Sequence, residues 1–180
     1  MDIAATSPEL DREVKPTIQR LRDGAYELRS QIFLEATIED VFSFFADPTN
    51  LNLITPEWLD FRIVTSTPIS MCTDATIEYK LKLRSIPISW KSIIPVWEPP
   101  FKFTDRQLRG PYTSWIHDHL FSEINPDLTS VEDRVLYRVP TGRLAHFLFV
   151  KRDLLRIFDY RAHSLKEIFR SIQGNRGSPS

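Results

Sequence analysis

The feature that most constrains this chain is one long amphipathic helix near its end, with no second long helix to pack against. Leu144, Leu148, Leu155, Phe158, Ala162, Leu165 and Phe169 recur at spacings of three, four and seven. That pattern marks one apolar face of a 3.6-residue helix. Arg152, Arg156, Asp159, Lys166 and Glu167 fall largely off it. A helix over residues 143–170 runs about 40 Å. Its stripe needs an apolar surface of similar length, and the rest of the chain can offer only a sheet.

The strands that would build this sheet follow from period-two alternation. Residues 26–35 form a first strand through Tyr26, Leu28, Ile32 and Leu34. Thr37 opens a capping pattern with Asp40 three residues on, followed by the stripe Ile38, Val41, Phe42 and Phe45. Asp47-Pro48 opens a second short helix, and Pro56 closes it. From Leu59 the period is two. Phe61 and Ile63 belong to one strand, and Ile77, Tyr79, Leu81 and Leu83 to the next. Ile88, Trp90, Ser92, Ile94 and Val96 share a face. So do Phe101, Phe103, Asp105, Gln107 and Arg109; Thr113, Trp115, His117, His119 and Phe121; and Val131, Asp133, Val135, Tyr137 and Val139. Pro99-Pro100, Gly110-Pro111 and Asn125-Pro126-Asp127 are the turns between them.

The order is a strand, two short helices, about six antiparallel strands and the long helix, an α+β domain. At 180 residues the chain is one domain with tails. The domain spans residues 24–172. Residues 1–23 read as a flexible extension: Leu10, Val14, Ile18 and Leu21 could form a helix stripe, but Pro16 interrupts it. Residues 173–180 read as a disordered tail. The 23 basic and 24 acidic residues leave a formal charge of −1, so no single-sign excess favours nucleic acid or an anionic membrane. The lone Cys72 excludes an intramolecular disulfide and fits a reducing compartment. No apolar run approaches a membrane span and no signal segment opens the chain. The expected setting is cytoplasmic, without nucleic-acid partner or stable membrane insertion.

This element order resembles the helix-grip fold of START-like lipid-binding domains, the birch-pollen-allergen family and the polyketide cyclase/dehydrase group (the SRPBCC superfamily). The words Phe45-Ala46-Asp47-Pro48, Trp97-Glu98-Pro99-Pro100, Arg109-Gly110-Pro111-Tyr112, Trp115-Ile116-His117-Asp118-His119-Leu120-Phe121 and Phe158-Asp159-Tyr160-Arg161 resemble a bacterial ligand-binding subgroup of it. The resemblance implies a curved sheet of about seven strands gripping the long helix, with an apolar cavity between them. It also implies ligands such as lipids, sterols, quinones or polyketides. It transfers no catalytic set, because one fold of this kind hosts carriers, sensors and enzymes.

Read from the residues themselves, the inner face carries more than aliphatics. A hairpin centred on Pro126 sets His119 opposite Asp133 and Trp115 opposite Tyr137. A three-residue loop at Gly110-Pro111 sets Asp105 opposite His117 and Gln107 opposite Trp115. Opposed side chains have Cβ atoms about 4.5–5.5 Å apart, within reach of two His–Asp contacts. A buried charge left without its partner costs on the order of 3–5 kcal/mol, so these groups must satisfy each other or meet a polar ligand end.

Four readings stay open: a network that stiffens the sheet, a clamp for the polar end of an apolar ligand, acid–base catalysis by His117 or His119 with Asp133 or Asp105, and a metal site of His117, His119 and Asp133. The last is a weak pattern, and neither metal nor cofactor is expected. His146 and His163 read as partly exposed helix residues. Tyr79, Trp90, Phe103, Gln107, Arg109, Trp115, His117, His119, Asp133, Tyr137, Phe147 and Phe158 are the candidate ligand-binding residues, with Trp58 near the cavity mouth. Aromatic walls with a few placed polar groups suit a small apolar molecule with a polar end. A cyclase- or dehydratase-type enzyme is the first alternative, and an interaction module with a vestigial cavity the second. On the outer face Ile93, Trp97, Leu108, Ile116, Leu120 and Leu136 interrupt a charged surface. They are expected to be scattered apolar surface, a dimer contact being the alternative.

Overall fold

The computed structural model describes residues 14–140 and 146–176. Among them, eight strands form one antiparallel sheet, ordered β1-β2-β8-β7-β6-β5-β4-β3. The strands are β1 (Val14–Arg20), β2 (Tyr26–Leu34), β3 (Arg62–Ile63), β4 (Thr76–Leu83), β5 (Ile86–Glu98), β6 (Lys102–Arg109), β7 (Ser114–Asn125) and β8 (Leu128–Arg138). Between β2 and β3 lie helix α1 (Ile38–Ala46) and two 3-10 turns, Pro48–Asn52 and Glu57–Leu59. A π-helical turn, His146–Val150, leads into helix α2, Lys151–Arg176. No helix among the described residues is long and apolar enough to cross a membrane.

The caps read from the sequence form as expected. The Thr37 hydroxyl accepts the Asp40 N–H at 3.2 Å and starts α1. The Asp47 carboxylate accepts the Thr49 N–H at 2.9 Å, with Pro48 in the first turn, where its missing N–H costs nothing. The inner stripe of α1 (Ile38, Val41, Phe42 and Phe45) is buried as read.

Three readings are corrected at the ends. The chain's first strand begins at Val14, not Tyr26: residues 14–20 pair with β2, so this part of the expected arm is an edge strand. Pro16 is tolerated there because an edge strand has one row of unpaired backbone groups. At the other end α2 continues to Arg176, beyond the expected tail boundary, and the Gln173 side chain donates to the Glu35 carbonyl. The buried stripe of α2 is Leu154, Phe158, Ala162, Leu165 and Phe169. Leu155 lies beside it, and Leu148 is exposed. The π turn inserts a residue and shifts the helix phase. Leu10, Leu144, the turn at Thr141-Gly142 and the tail from Gly177 lie outside the described residues.

Two bulges reset the sheet's parity, and each overturns an assignment. On β5, Ile93 pairs with Arg106 but Val96 with Thr104, so Ile94-Pro95 carries an extra residue. Pro95 can donate no ladder hydrogen bond, which suits a bulge. Beyond it Trp97 faces Phe103 and packs on Phe42 with ring centroids 5.2 Å apart; it is an inner residue, not an outer one. On β6, Lys91 pairs with Arg109 but Ser92 with Gln107. Leu108 is the extra residue, and Arg109 turns to the outer face, 3.5 Å from Glu78.

Two apolar clusters result. One joins α1, Ile94, Phe103 and Phe121 to the far half of α2. The other joins Tyr26, Trp90, Trp115, Tyr137 and Leu81 to Leu154 and Phe158 in its near half. Between them every central strand carries a polar residue: Ser30 between Leu28 and Ile32, Asp133 between Val131 and Val135, His117 and His119 between Trp115 and Phe121, Ser92 between Trp90 and Ile94. The ladder aligns Ser30 with Asp133, Asp133 with His119, and Asp105 with His117. A polar tier thus crosses the sheet beneath α2.

Candidate functional site

Asp133 is the hub of the tier. A carboxylate can only accept, so His117 Nε2–H donates to Asp133 Oδ1 at 2.9 Å. Arg161, from α2, donates through Nη2 to the same oxygen at 3.4 Å and to His119 Nδ1 at 3.3 Å. With Nδ1 accepting, His119 donates through Nε2 to Asp105 Oδ2 at 3.1 Å. His117 Nδ1 stands 3.3 Å from that oxygen. The Ser92 hydroxyl donates to Asp105 Oδ1 at 3.4 Å and accepts the Trp90 indole N–H at 3.0 Å. The two imidazoles lie 3.8 Å apart between their centroids, and the Arg161 guanidinium sits over the Phe45 ring at 5.2 Å.

The charges follow from this geometry. Burial would raise the Asp105 carboxyl, but hydrogen bonds from His117 and His119 hold it below the usual range. For Asp133 burial acts the same way, and the Arg161 charge with both imidazoles holds it well below. Burial opposes charge on His117, yet its bonds to Asp105 and Asp133 raise it. His119 is lowered, first by burial and then by the charge on His117. The tier therefore sets two carboxylates against the Arg161 guanidinium and favours the charged form of His117 and the neutral form of His119. That balance lets four charges stay buried.

The tier forms one wall of a cavity of ≈ 210 Å³ between sheet and helix. Tyr79, Trp90, Phe103, Trp115, His117, His119 and Phe158 line it, as does Asp105. Leu81, Ile94, Leu154 and Ile157 supply aliphatic surface, and the segment from Asp47 to Thr55 closes one end. Trp90 and Trp115 meet edge to face at 5.4 Å. Asp105 is the most open member of the tier, its side chain 17% exposed against 7% and 5% for the two histidines. Tyr79 also faces the space; burial, then the Asp105 charge, raises its phenol well above the ordinary value, so it is a neutral hydroxyl.

Not every candidate is brought together. Asp133 sits behind the histidines, off the cavity wall. Tyr137 is fully buried behind Trp115, and its hydroxyl meets His146 Nε2 at 2.9 Å. Gln107 staples the β6–β7 loop instead: its amide donates to the Tyr112 carbonyl at 2.8 Å and accepts the Tyr112 N–H at 3.3 Å. A Cβ at Gly110 would overlap that carboxamide, so a side chain there would displace the staple. Arg109 is outside, turned by the bulge at Leu108. Phe147 is 69% exposed on the π turn, because the helical stripe does not extend through that turn in phase.

Phe101, read as inward, is exposed ahead of β6. His146, read as partly exposed, is buried and stacks on Tyr26 at 3.5 Å. Trp58 is exposed and packs edge-on against Tyr160 at 5.6 Å, off the cavity wall.

Arg161 is the site residue missed from sequence. Its signal was a cation three residues after Phe158 and beside Ala162, on the stripe that buries α2. Tyr112, in the loop that Gln107 holds, and Ser92 also line the cavity.

No family model matches the chain, and no curated protein matches it significantly. Solved structures share its fold. A START superfamily protein from Mycobacterium smegmatis is similar at 11% identity and TM-score 0.60, over 81% of this chain and 98% of that one. The Zhui aromatase/cyclase of a Streptomyces species is similar at 13% identity and TM-score 0.61, over 82% and 96%. A major latex-like protein of Panax ginseng is similar at 10% identity and TM-score 0.58, over 81% and 97%. At these identities the likeness is one of architecture: the chain has the START-like helix-grip fold.

Proposed function

We propose that this START-like domain binds or carries a small, mostly apolar molecule with a polar end, held between sheet and α2. The observation that carries this reading is the make-up of the cavity: aromatic and aliphatic walls interrupted on one side by a charge-balanced polar tier. Sites that fix a ligand's orientation have this composition. Asp105, the most open tier member, accepts a hydrogen bond from the guest, and the neutral Tyr79 hydroxyl stands on the same wall. The polar end is therefore a hydroxyl or phenol, since a carboxylate would face Asp105.

A melting experiment tests this. Saturation to about 100 times Kd adds about 2.7 kcal/mol, which at this chain length raises Tm by roughly 5–10 °C. Long-chain alcohols, hydroquinones and polycyclic phenols should produce that shift, and Asp105→Asn should reduce it for the hydroxylated guests. No shift across the whole panel would remove the reading and favour a domain whose cavity has no guest.

The second reading is acid–base chemistry of the cyclase or dehydratase kind, supported by imidazoles paired with carboxylates on the cavity wall. The aromatase/cyclase neighbour shares the fold. Against it, both nitrogens of each ring are already engaged within the tier. His117→Gln and His119→Gln separate the two: binding of the apolar portion persists in a carrier, whereas turnover of a poly-β-ketone falls by 10²-fold or more in an enzyme.

A further inference from the structure

The two imidazoles are arranged like ligands as well as like hydrogen-bond donors. Their near nitrogens, His117 Nδ1 and His119 Nε2, converge on Asp105 Oδ2 at 3.3 and 3.1 Å. Ligand atoms of these three residues lie within 4.8 Å of one another. A tetrahedral ion with bonds of about 2.0–2.1 Å holds its ligand atoms roughly 3.3 Å apart, so the two nitrogen–oxygen separations need little adjustment. Their far nitrogens, His117 Nε2 and His119 Nδ1, both face Asp133 Oδ1, at 2.9 and 3.1 Å.

On binding an ion, the proton between His117 Nδ1 and Asp105 passes to solvent, and His119 moves its proton from Nε2 to Nδ1, where it donates to Asp133. Each ring then has the near nitrogen for the ion and the far one on a carboxylate that fixes its orientation. Asp133 is itself anchored, its other oxygen 3.3 Å from Arg161 Nε. Asp105, His117 and His119 line the cavity, with Arg161 beside them, while Asp133 lies behind. Remaining coordination positions would therefore open toward the space where a guest sits. Two imidazoles and one carboxylate with open positions is the donor set of zinc hydrolytic centres and of non-haem iron centres. The sequence pattern pointed to Asp133 as the third ligand; the register makes it Asp105.

We propose that Asp105, His117 and His119 bind one first-row divalent transition-metal ion on the cavity wall, with Asp133 and Arg161 as positioning residues. The ion takes the place of the contacts that Asp105 makes to the two rings. The proposal does not depend on the identity of the apolar guest.

Titration of the full chain, stripped with EDTA, with Zn2+ by calorimetry and with Co2+ by visible absorption tests it. The expected result is one ion per chain, with cobalt d–d bands of a low-coordinate site. Asp105→Asn, His117→Gln and His119→Gln each weaken binding more than 100-fold. Asp133→Asn weakens it 10–100-fold, the usual effect of losing a carboxylate behind a histidine. His163→Gln, on the exposed side of α2, leaves it unchanged.

Absence of stoichiometric Zn2+ or Co2+ binding by the unaltered chain at 100 µM overturns the proposal. So does binding that survives Asp105→Asn with its stoichiometry intact. Should a histidine variant fail to fold by circular dichroism, the unaltered chain and Asp105→Asn still decide. Melting shifts with apolar guests in EDTA are read separately, so failure here is distinguishable from failure of the cavity reading.

Discussion

Asp133 receives His117 and Arg161 and stands 3.1 Å from His119, with no water-facing side. Neutralising it strands an imidazolium and a guanidinium in a low-dielectric interior. Asp133→Asn should therefore cost on the order of 3–5 kcal/mol, measured as a lower urea midpoint with unchanged slope. A loss below about 1 kcal/mol would mean that these charges are not buried as pairs. Much of this tier is legible in the sequence, because strand register is discrete: His119 against Asp133 and His117 against Asp105 follow from two loop lengths. Arg161 is not, because a helix's phase is continuous. The spacing leads to Phe158 through Leu148 and Leu155, whereas the buried line reaches it through Leu154.

Elements deviate where the backbone inserts a residue. Trp97 and Arg109 changed faces because the bulges at Ile94-Pro95 and Leu108 each reverse the parity beyond them. Alternation alone cannot reveal a bulge; Pro95 was the one visible warning. The β4–β5 hairpin turns on Arg84 and Ser85, both left-handed at φ 50° and 68° without a glycine. Arg84 is tied to Asp153 of α2 at 2.8 and 3.0 Å and reaches over the Phe149 ring at 4.6 Å. Ser85 has no such role, so Ser85→Gly relieves its strain and should stabilise the fold by about 1 kcal/mol. That corresponds to a Tm higher by roughly 2–4 °C. An unchanged or lower Tm would show that the left-handed turn carries no strain.

At the scale of the whole molecule, folding also secures a charge on the outer face near the sheet's β1 edge. Glu27 is buried among Arg29, Arg134 and Gln19, and the Arg29 hydrogen bond, outweighing burial, pushes its carboxyl down from 4.5 to about 2. A lowered carboxyl contributes stability that is complete above the unfolded value and fades as pH falls through the folded one. Stability should therefore drop between pH 4.5 and 2 in part through Glu27. Glu27→Gln should make that drop shallower while lowering stability at pH 7. Equal slopes in the two proteins would contradict the assignment.

The fold class and the helix on the sheet were readable because they rest on long periodic stretches. The cavity's occupant was not, since apolar walls accept many guests. The most direct measurement is native mass spectrometry of the purified chain, followed by solvent release of whatever it carries and re-addition of the hydroxylated apolar panel. The account predicts one small molecule per chain, lost in Leu81→Trp, whose indole fills the cavity from its wall. A bare chain mass that stays bare with every compound, or a guest that Leu81→Trp retains, would contradict it.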